Sequence, residues 1–290
     1  MATRFIYDKN ALGMLPKRSA RSNKGTFGLV TVVGGSVGIS GAAYFSAKAA
    51  YRTGCGMCRI ISPEENRIIY QTQLPEAVLT LYSSVSPDEK AIKNAVCRTT
   101  SLVIGVGLGV SDVSKAILKY TLESTSSPTV IDADGLNLIS FNKELWNYVP
   151  KGSIITPHPL EMSRLTGLPL CEILEDIPSV AEKFALEHNV ICVLKDRYTA
   201  ISDGVQTVIN QSGNSALATA GSGDVLTGII ASLLAQGMNS FEAASLGVYI
   251  HGLAGEYASK RLSEYSVTAS DISDSISEVM KEAESHLSNQ

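Results

Sequence analysis

Short aliphatic runs, each followed by a glycine-rich or polar stretch and then by an apolar pattern of helical period, recur along most of this chain. Continuous apolar runs bounded by turn residues read as strands buried on both faces. Recurrence near 3.6 residues reads as a helix packed by one side. On that basis strands are expected at 29–33, 57–61, 77–81, 102–104, 129–131, 153–155 and 190–194. A hairpin is expected from 198–202 and 206–209 about Asp203-Gly204, a strong turn dipeptide. Helices are expected at 41–53, 88–96, 111–122, 160–165, 178–188, 223–235, 241–262 and 271–287. The first 25 residues are polar and basic and read as a lead-in helix and loop.

Strands separated by helices imply parallel βαβ units with right-handed crossovers, and so an α/β fold with a mostly parallel central sheet. With no repeat, low-complexity tract or linker, residues 1–290 read as a single domain. The polar motifs fall mostly just after strands: Gly34-Gly35-Ser36, 105–109, 132–137, 156–161 and 195–199. Those are the carboxyl ends of a parallel sheet, where such folds build their sites.

Composition narrows the partners. Hydrophobic residues make up 44% of the 290 and aromatics only 6%, which suits aliphatic parallel strands and an ample core. Net charge is −4 with no basic block, which argues against nucleic acid or an anionic membrane. No apolar run approaches the roughly 18 residues of a spanning helix, and no signal-type segment opens the chain. The expectation is a soluble, cytoplasmic protein.

Five scattered cysteines argue against a disulfide framework. Cys55-Gly56-Met57-Cys58 has redox or zinc spacing, but no second Cys or His pair stands at finger distance. A thioredoxin-type pair also follows a strand and precedes a helix. Here a helix capped by Gly54 comes first and a strand after, so the pair reads as structural.

The stretch Asn214-Ser215-Ala216-Leu217-Ala218-Thr219-Ala220-Gly221-Ser222-Gly223-Asp224 is small and glycine-rich, ends in one carboxylate and opens an apolar helix. Free backbone N–H groups at the positive end of a helix dipole seat phosphate, and Asp224 stands where a base could deprotonate an attacking hydroxyl. The plainer reading is a glycine turn with an ordinary helix-start Asp.

Gly105-Val106-Gly107-Leu108-Gly109 is half of a dinucleotide fingerprint, with the last glycine absent. It reads instead as backbone that approaches a ligand closely. His158, stiffened between two prolines, is placed at a site mouth or in a surface turn. His251, amid Gly247, Ala254 and Gly255, reads as a packed structural histidine, and His188 as a solvated charge at a helix end. Glu161 is either a magnesium-holding acid acting through water or a first-turn helix Glu, and Asp132 and Asp134 invite the same magnesium reading. No GxxxxGK[ST] loop is present, which excludes a Walker-type NTPase.

Taken together and in order, these motifs resemble the ribokinase-like superfamily and, within it, are similar to the ADP/ATP-dependent NAD(P)H-hydrate dehydratase family. The resemblance runs from about Gly25 to Ala258. It rests on Lys24-Gly25-Thr26-Phe27-Gly28; Val33 to Ser36 with Gly41-Ala42-Ala43; Gly105 to Gly109; Asp132 to Asn137; Thr156 to Met162; Leu194-Lys195 with Thr199; and Gly213 to Gly228.

The resemblance implies a three-layer α/β/α ribokinase-like fold and a lyase that repairs (S)-NADHX or (S)-NADPHX. Either ADP or ATP would phosphorylate the hydrate hydroxyl, and phosphate would then leave; ADP is favoured. It assigns Asp224 as the base, Gly221, Ser222 and Gly223 as the anion hole, and Ala42, Gly107, His158 and Asp224 as the hydrate pocket. Lys195, Asp196, Arg197, Tyr198, Thr199 and Gly223 would hold the nucleotide, and Glu161 would hold Mg²⁺ through water. Asp196 stands where the family commonly has glycine, and its side chain would narrow the loop over the nucleotide. A homotetramer and a separate epimerase as functional partner are implied too, since the fused epimerase domain of some relatives is missing. The alternatives are an ATP-dependent kinase of a small hydroxylated metabolite or vitamin precursor and a non-catalytic nucleotide sensor. An open, glycine-lined mouth argues against the first and an intact Asp224 against the second.

Overall fold

The computed structural model describes residues 2–288; Met1, Asn289 and Gln290, which the single-domain reading includes, lie outside the described residues. The chain begins with a three-residue strand, β1 (Thr3–Phe5), and two 3-10 turns at Lys9–Met14 and Lys24–Phe27. This corrects the expected lead-in helix. A three-residue strand is too short to show a period, and β1 exists because it pairs in parallel with a distant strand.

The alternation then follows the hydrophobic pattern closely. β2 (Leu29–Val33) leads to α1 (Gly41–Thr53), which ends at Gly54 in the left-handed region (φ 107°). Next come β3 (Met57–Pro63), α2 (Arg67–Gln73), β4 (Val78–Tyr82) and α3 (Glu89–Val96). β5 (Ser101–Ile104), α4 (Asp112–Ser124), β6 (Thr129–Ile131) and α5 (Asp134–Phe141) follow, then β7 (Ile154–Ile155). Three helices, α6 (Pro159–Thr166), α7 (Leu170–Glu175) and α8 (Ile177–His188), precede β8 (Ile191–Leu194) and the hairpin of β9 (Thr199–Ser202) and β10 (Gln206–Asn210). α9 (Ser222–Ala235), α10 (Ser240–Arg261) and α11 (Ala269–Ser288) close the chain.

The ten strands form one sheet in the order β1-β10-β9-β8-β7-β6-β5-β2-β3-β4. Among the described strands only β9 runs against the rest, through its antiparallel pairs with β8 and β10. The order reverses between β2 and β5, so the crevice at their carboxyl ends is a topological switch point.

Alternate residues of each strand supply opposite faces, as the pleat requires. Val30, Val103 and Val130 join a core with α1, α9, α10 and α11, while Val33, Leu102, Ile104 and Ile131 join a core with α3, α4, α5, α6 and α8. The result is a helix layer on each side of the sheet. Cys55 and Cys58 are buried thiols in the first of these cores, as their structural reading expects. Burial pushes Cys55 up to about 12 and Cys58 well above its usual value. Among the described residues no helix is long and apolar enough to cross a membrane.

Candidate active site

α9 begins at a glycine for two physical reasons. Gly221 caps the helix in the left-handed region (φ 88°), and a Cβ there would press on Ala269 Cβ at 2.9 Å and Phe45 at 3.0 Å. Ser46 Oγ and Thr227 Oγ1 both donate to the Asp224 carbonyl oxygen, at 2.9 and 2.8 Å, and hold the first turn against α1. The Ser222 N–H bends back to the Thr219 carbonyl at 3.3 Å, and the Val225 N–H closes the first helical bond to Gly221. Helix geometry gives the N–H groups of Gly223 and Asp224 no partner within α9, so they are the natural anion donors of this turn. Of the three residues expected to form an anion hole, Ser222 thus has its N–H engaged.

Four charged side chains meet in front of that turn. Asp132 ends β6 and is 2% exposed; Lys195 leaves the end of β8 and places Nζ 3.1 Å from Asp132 Oδ1. Ala133, which links Asp132 to α5, is held at φ 49°, a strained conformation for a residue with a Cβ. Glu161, buried in the first turn of α6, accepts the His158 N–H at 2.9 Å.

Three carboxyls thus share one ammonium. Burial pushes Asp224 up to about 7; the charge of Asp132 adds to this and Lys195 opposes it. Burial likewise pushes Glu161 up to about 7, with Lys195 opposing and Asp132 adding. Burial by itself would lower Lys195, but the charges of Asp132 and Glu161 outweigh it and hold the ammonium above its usual value. Carboxyls that titrate near neutrality are suited to taking and releasing protons.

His158 caps α6, its Nδ1 accepting from Leu160 N–H at 3.2 Å and Glu161 N–H at 3.3 Å. An accepting Nδ1 leaves the hydrogen on Nε2, which stands 3.5 Å from Glu161 Oε1. Burial and then the charge of Lys195 lower its pKa, so the ring is neutral. Asp134 also anchors a loop: its Oδ2 accepts the Gly109 N–H at 2.8 Å, and its charge helps to raise Asp224.

The glycines of the 105–109 loop also serve the protein itself. A Cβ at Gly105 would overlap the Asp132 carbonyl, and one at Gly107 would sit 2.8 Å from Ala42 Cβ. Gly105 and Gly107 thus lie against neighbouring chain, while a Cβ at Gly109 would meet nothing closer than 3.7 Å. Ala42 and Gly107 do meet, at the switch point between β2 and β5.

A cavity of about 1010 Å³ opens beside the cluster. His158, Lys195, Asp196, Arg197, Tyr198, Thr199, Ser222 and Gly223 line it, together with the 210–215 segment and His251. Ala42, Gly107 and Asp224 are not among its lining residues. Asp196 is exposed, as are Arg197 and Tyr198.

Two histidines differ from expectation. His188 stacks on Trp146 with ring centroids 4.3 Å apart, and burial lowers its pKa, so it is a packed neutral ring and not a solvated charge. His251 is packed, as expected, but its Nε2 lies 3.0 Å from Ser222 Oγ in the cavity wall. Neither that contact nor the Asp132–Lys195 pair had a signal in sequence spacing.

Among the described residues no three His, Cys, Asp or Glu groups form a ready metal site. Asp132 faces Lys195, and one Glu161 oxygen takes the His158 N–H. This donor set fits Mg²⁺ only as that ion is often held, through water and nucleotide phosphates.

The family model described as NAD(P)H-hydrate dehydratase matches residues 30–278. The chain is 40% identical over 243 residues to the ADP-dependent (S)-NAD(P)H-hydrate dehydratase of Neisseria meningitidis, covering 82% of this chain and 80% of that one. It is 35% identical over 282 residues to the bifunctional NAD(P)H-hydrate repair enzyme of Moorella thermoacetica, covering 94% of this chain and 53% of that one. The chain thus spans about half the length of the bifunctional relatives it matches. The Bacillus subtilis ADP/ATP-dependent NAD(P)H-hydrate dehydratase, crystallised with ATP and Mg²⁺, superposes with a TM-score of 0.83 at 27% identity, over 96% of this chain and 98% of that one. A ribokinase-like superfamily protein of Enterococcus faecalis gives a TM-score of 0.87 at 28% identity, over 97% and 96%. The fold is ribokinase-like.

Proposed function

The chain belongs to the NAD(P)H-hydrate dehydratase family, and we propose that it converts (S)-NADHX and (S)-NADPHX to NADH and NADPH at the expense of ADP. The observation that carries this reading is Asp224: a carboxyl pushed up to about 7, in the first turn of a helix whose free N–H groups seat phosphate.

In this scheme Asp224 takes the proton of the hydrate hydroxyl as its oxygen attacks the terminal phosphorus of ADP. The bond from that phosphorus to the bridging oxygen breaks, and AMP departs. The N–H groups of Gly223 and Asp224 receive the oxygens of the moving phosphoryl group. The ring nitrogen of the phosphorylated hydrate then expels phosphate, and loss of the neighbouring C–H proton restores the dihydronicotinamide. Hydroxide leaves poorly near neutral pH and phosphate leaves well, which is the chemical reason for consuming a nucleotide.

Lys195 neutralises Asp132 in the resting protein and supplies positive charge beside the phosphates. Lys195 to Thr199 and Gly223 hold the nucleotide; Ala42, Gly107 and His158 hold the hydrate, with Nε2–H of His158 as a donor. Mg²⁺, held through water by Glu161, would neutralise phosphoryl oxygens. The named donor of the Neisseria relative supports ADP, and the ATP and Mg²⁺ of the Bacillus crystal support the metal. Residues 1–290 acting as one unit, a cytoplasmic homotetramer, and an epimerase supplied by another protein complete the proposal. Light scattering on the purified protein gives its oligomeric state.

The deciding assay mixes protein, Mg²⁺ and NADHX with ADP or ATP, and follows the near-ultraviolet absorbance that only the intact dihydronicotinamide has. A rise that requires nucleotide is the expected result, faster with ADP. A flat trace with both, from folded protein, rejects the dehydratase and points to a small-molecule kinase.

A further inference from the structure

The scheme above leaves one side chain of the cavity wall without a task. His251 lies in the middle of α10 and is 7% exposed; Ser222, the first residue of α9, is 5% exposed. His251 Nε2 and Ser222 Oγ are 3.0 Å apart, and both residues line the cavity beside Gly223. Burial drives the ring to its neutral form, lowering its pKa to about 4, while hydrogen bonding to the Ser222 backbone pulls the other way. A neutral imidazole has one N–H; carried on Nε2, it is the donor of this pair and leaves the serine hydrogen free.

The same stretch of α10 holds the opposite wall. Ser212 Oγ donates to the Tyr249 carbonyl at 3.1 Å, the Gly213 N–H donates to Glu256 at 2.8 Å, and Asn214 Nδ2 donates to Ser259 Oγ at 2.8 Å. A hydroxyl has one hydrogen to give. If Ser222 spent it on the ring, an incoming phosphate would meet only lone pairs.

We propose that His251 is a positioning residue for the nucleotide phosphate: its Nε2–H donates to Ser222 Oγ and so turns the serine hydrogen outward, to a phosphoryl oxygen seated on the first turn of α9. This rests on reading the cavity as the nucleotide site.

The test is calorimetric titration of ADP into the full chain and three variants. His251→Leu removes the donor and is expected to weaken ADP about tenfold, the scale of a hydrogen bond to a charged group. Ser222→Ala is expected to lose as much, and the double variant no more than Ser222→Ala alone, because both changes remove one contact. His251→Gln, whose amide N–H reaches the place of Nε2, is expected to bind within about threefold of the parent. Losses that multiply in the double variant, or a His251→Leu protein that binds ADP like the parent, overturn the proposal. If His251→Leu does not fold by circular dichroism, the other two single variants decide. Parent-like binding by Ser222→Ala, or a His251→Gln protein as weak as Ser222→Ala, overturns it. A parent that binds neither ADP nor ATP overturns the nucleotide reading itself, and this inference with it.

Discussion

In the middle of α9, Gly228 lies against α1: a Cβ there would overlap the Ser46 carbonyl oxygen and sit 2.9 Å from Ala49 Cβ. In the first turn of the same helix, a Cβ on Gly223 would meet nothing closer than Lys195 Nζ at 3.5 Å and Asp132 Oδ2 at 3.7 Å. Both distances at Gly223 are ordinary contacts. The free protein therefore requires glycine at 228 and not at 223. The middle of the helix is built for packing, while its start keeps space and unpaired N–H groups for something the protein does not itself supply. Charge follows the same division. The α1–α9 seam is small and uncharged, whereas Asp132, Glu161, Asp224 and Lys195 crowd the helix start at a cost in desolvation. Buried charge that no packing need explains is a mark of function.

The largest effect that sharpens the contrast is on rate. Asp224→Asn should lower turnover by about 10³-fold, ~4 kcal/mol of barrier, while ADP binding stays within about threefold. Steady-state rates and calorimetry measure the two. Near-full activity would remove Asp224 as the base and leave the helix start with no chemistry to explain.

Gly228→Ala should then cost ~3 kcal/mol of stability, since two helix backbones must part. Thermal unfolding should show a midpoint lower by ~6 °C or more. Gly223→Ala should melt with the parent and yet bind ADP about tenfold more weakly, ~1.4 kcal/mol, because its methyl group occupies ligand space. The contrast breaks if the two glycine variants melt alike.

A further effect is a pH dependence. Asp224 is raised from 3.8 to about 7, so the native protein keeps a proton that the unfolded chain has lost. The parent therefore loses stability as pH rises from about 4 through about 7, and the share of that loss due to Asp224 is missing from Asp224→Asn. The melting temperature of the variant, relative to the parent, should climb by a few degrees over that window and level off above it. A constant difference across pH would mean the carboxyl is not raised. Glu161 titrates in both proteins and largely cancels.

Much of the sheet could be read from local pattern. Leu29–Val33 and Thr129–Ile131 are short runs of aliphatic and β-branched residues, the pattern of a strand buried on both faces. Ser111 and Asp88, each accepting an N–H of the next turn, mark helix starts by chemistry visible in the sequence. α5 was not visible: its opening Asp134-Gly135 reads as loop, and tertiary packing of Leu136, Leu138 and Ile139 makes it a helix. α2 and α7 are short, with few buried residues to set a period.

The site divides in the same way. By itself the sequence determined which residues could do chemistry, because glycine before a helix, carboxylates after strands and a histidine between prolines are local facts with local causes. Which of them meet is another matter. Lys195 finds Asp132 across 63 residues and His251 finds Ser222 across 29, through strand order and helix packing that no spacing rule encodes. Asp134 anchors the 105–109 loop through the Gly109 N–H, and Gly105 and Gly107 lie against neighbouring chain. Only the tertiary structure decides such outcomes, because burial and the charges gathered around a carboxyl set its proton affinity.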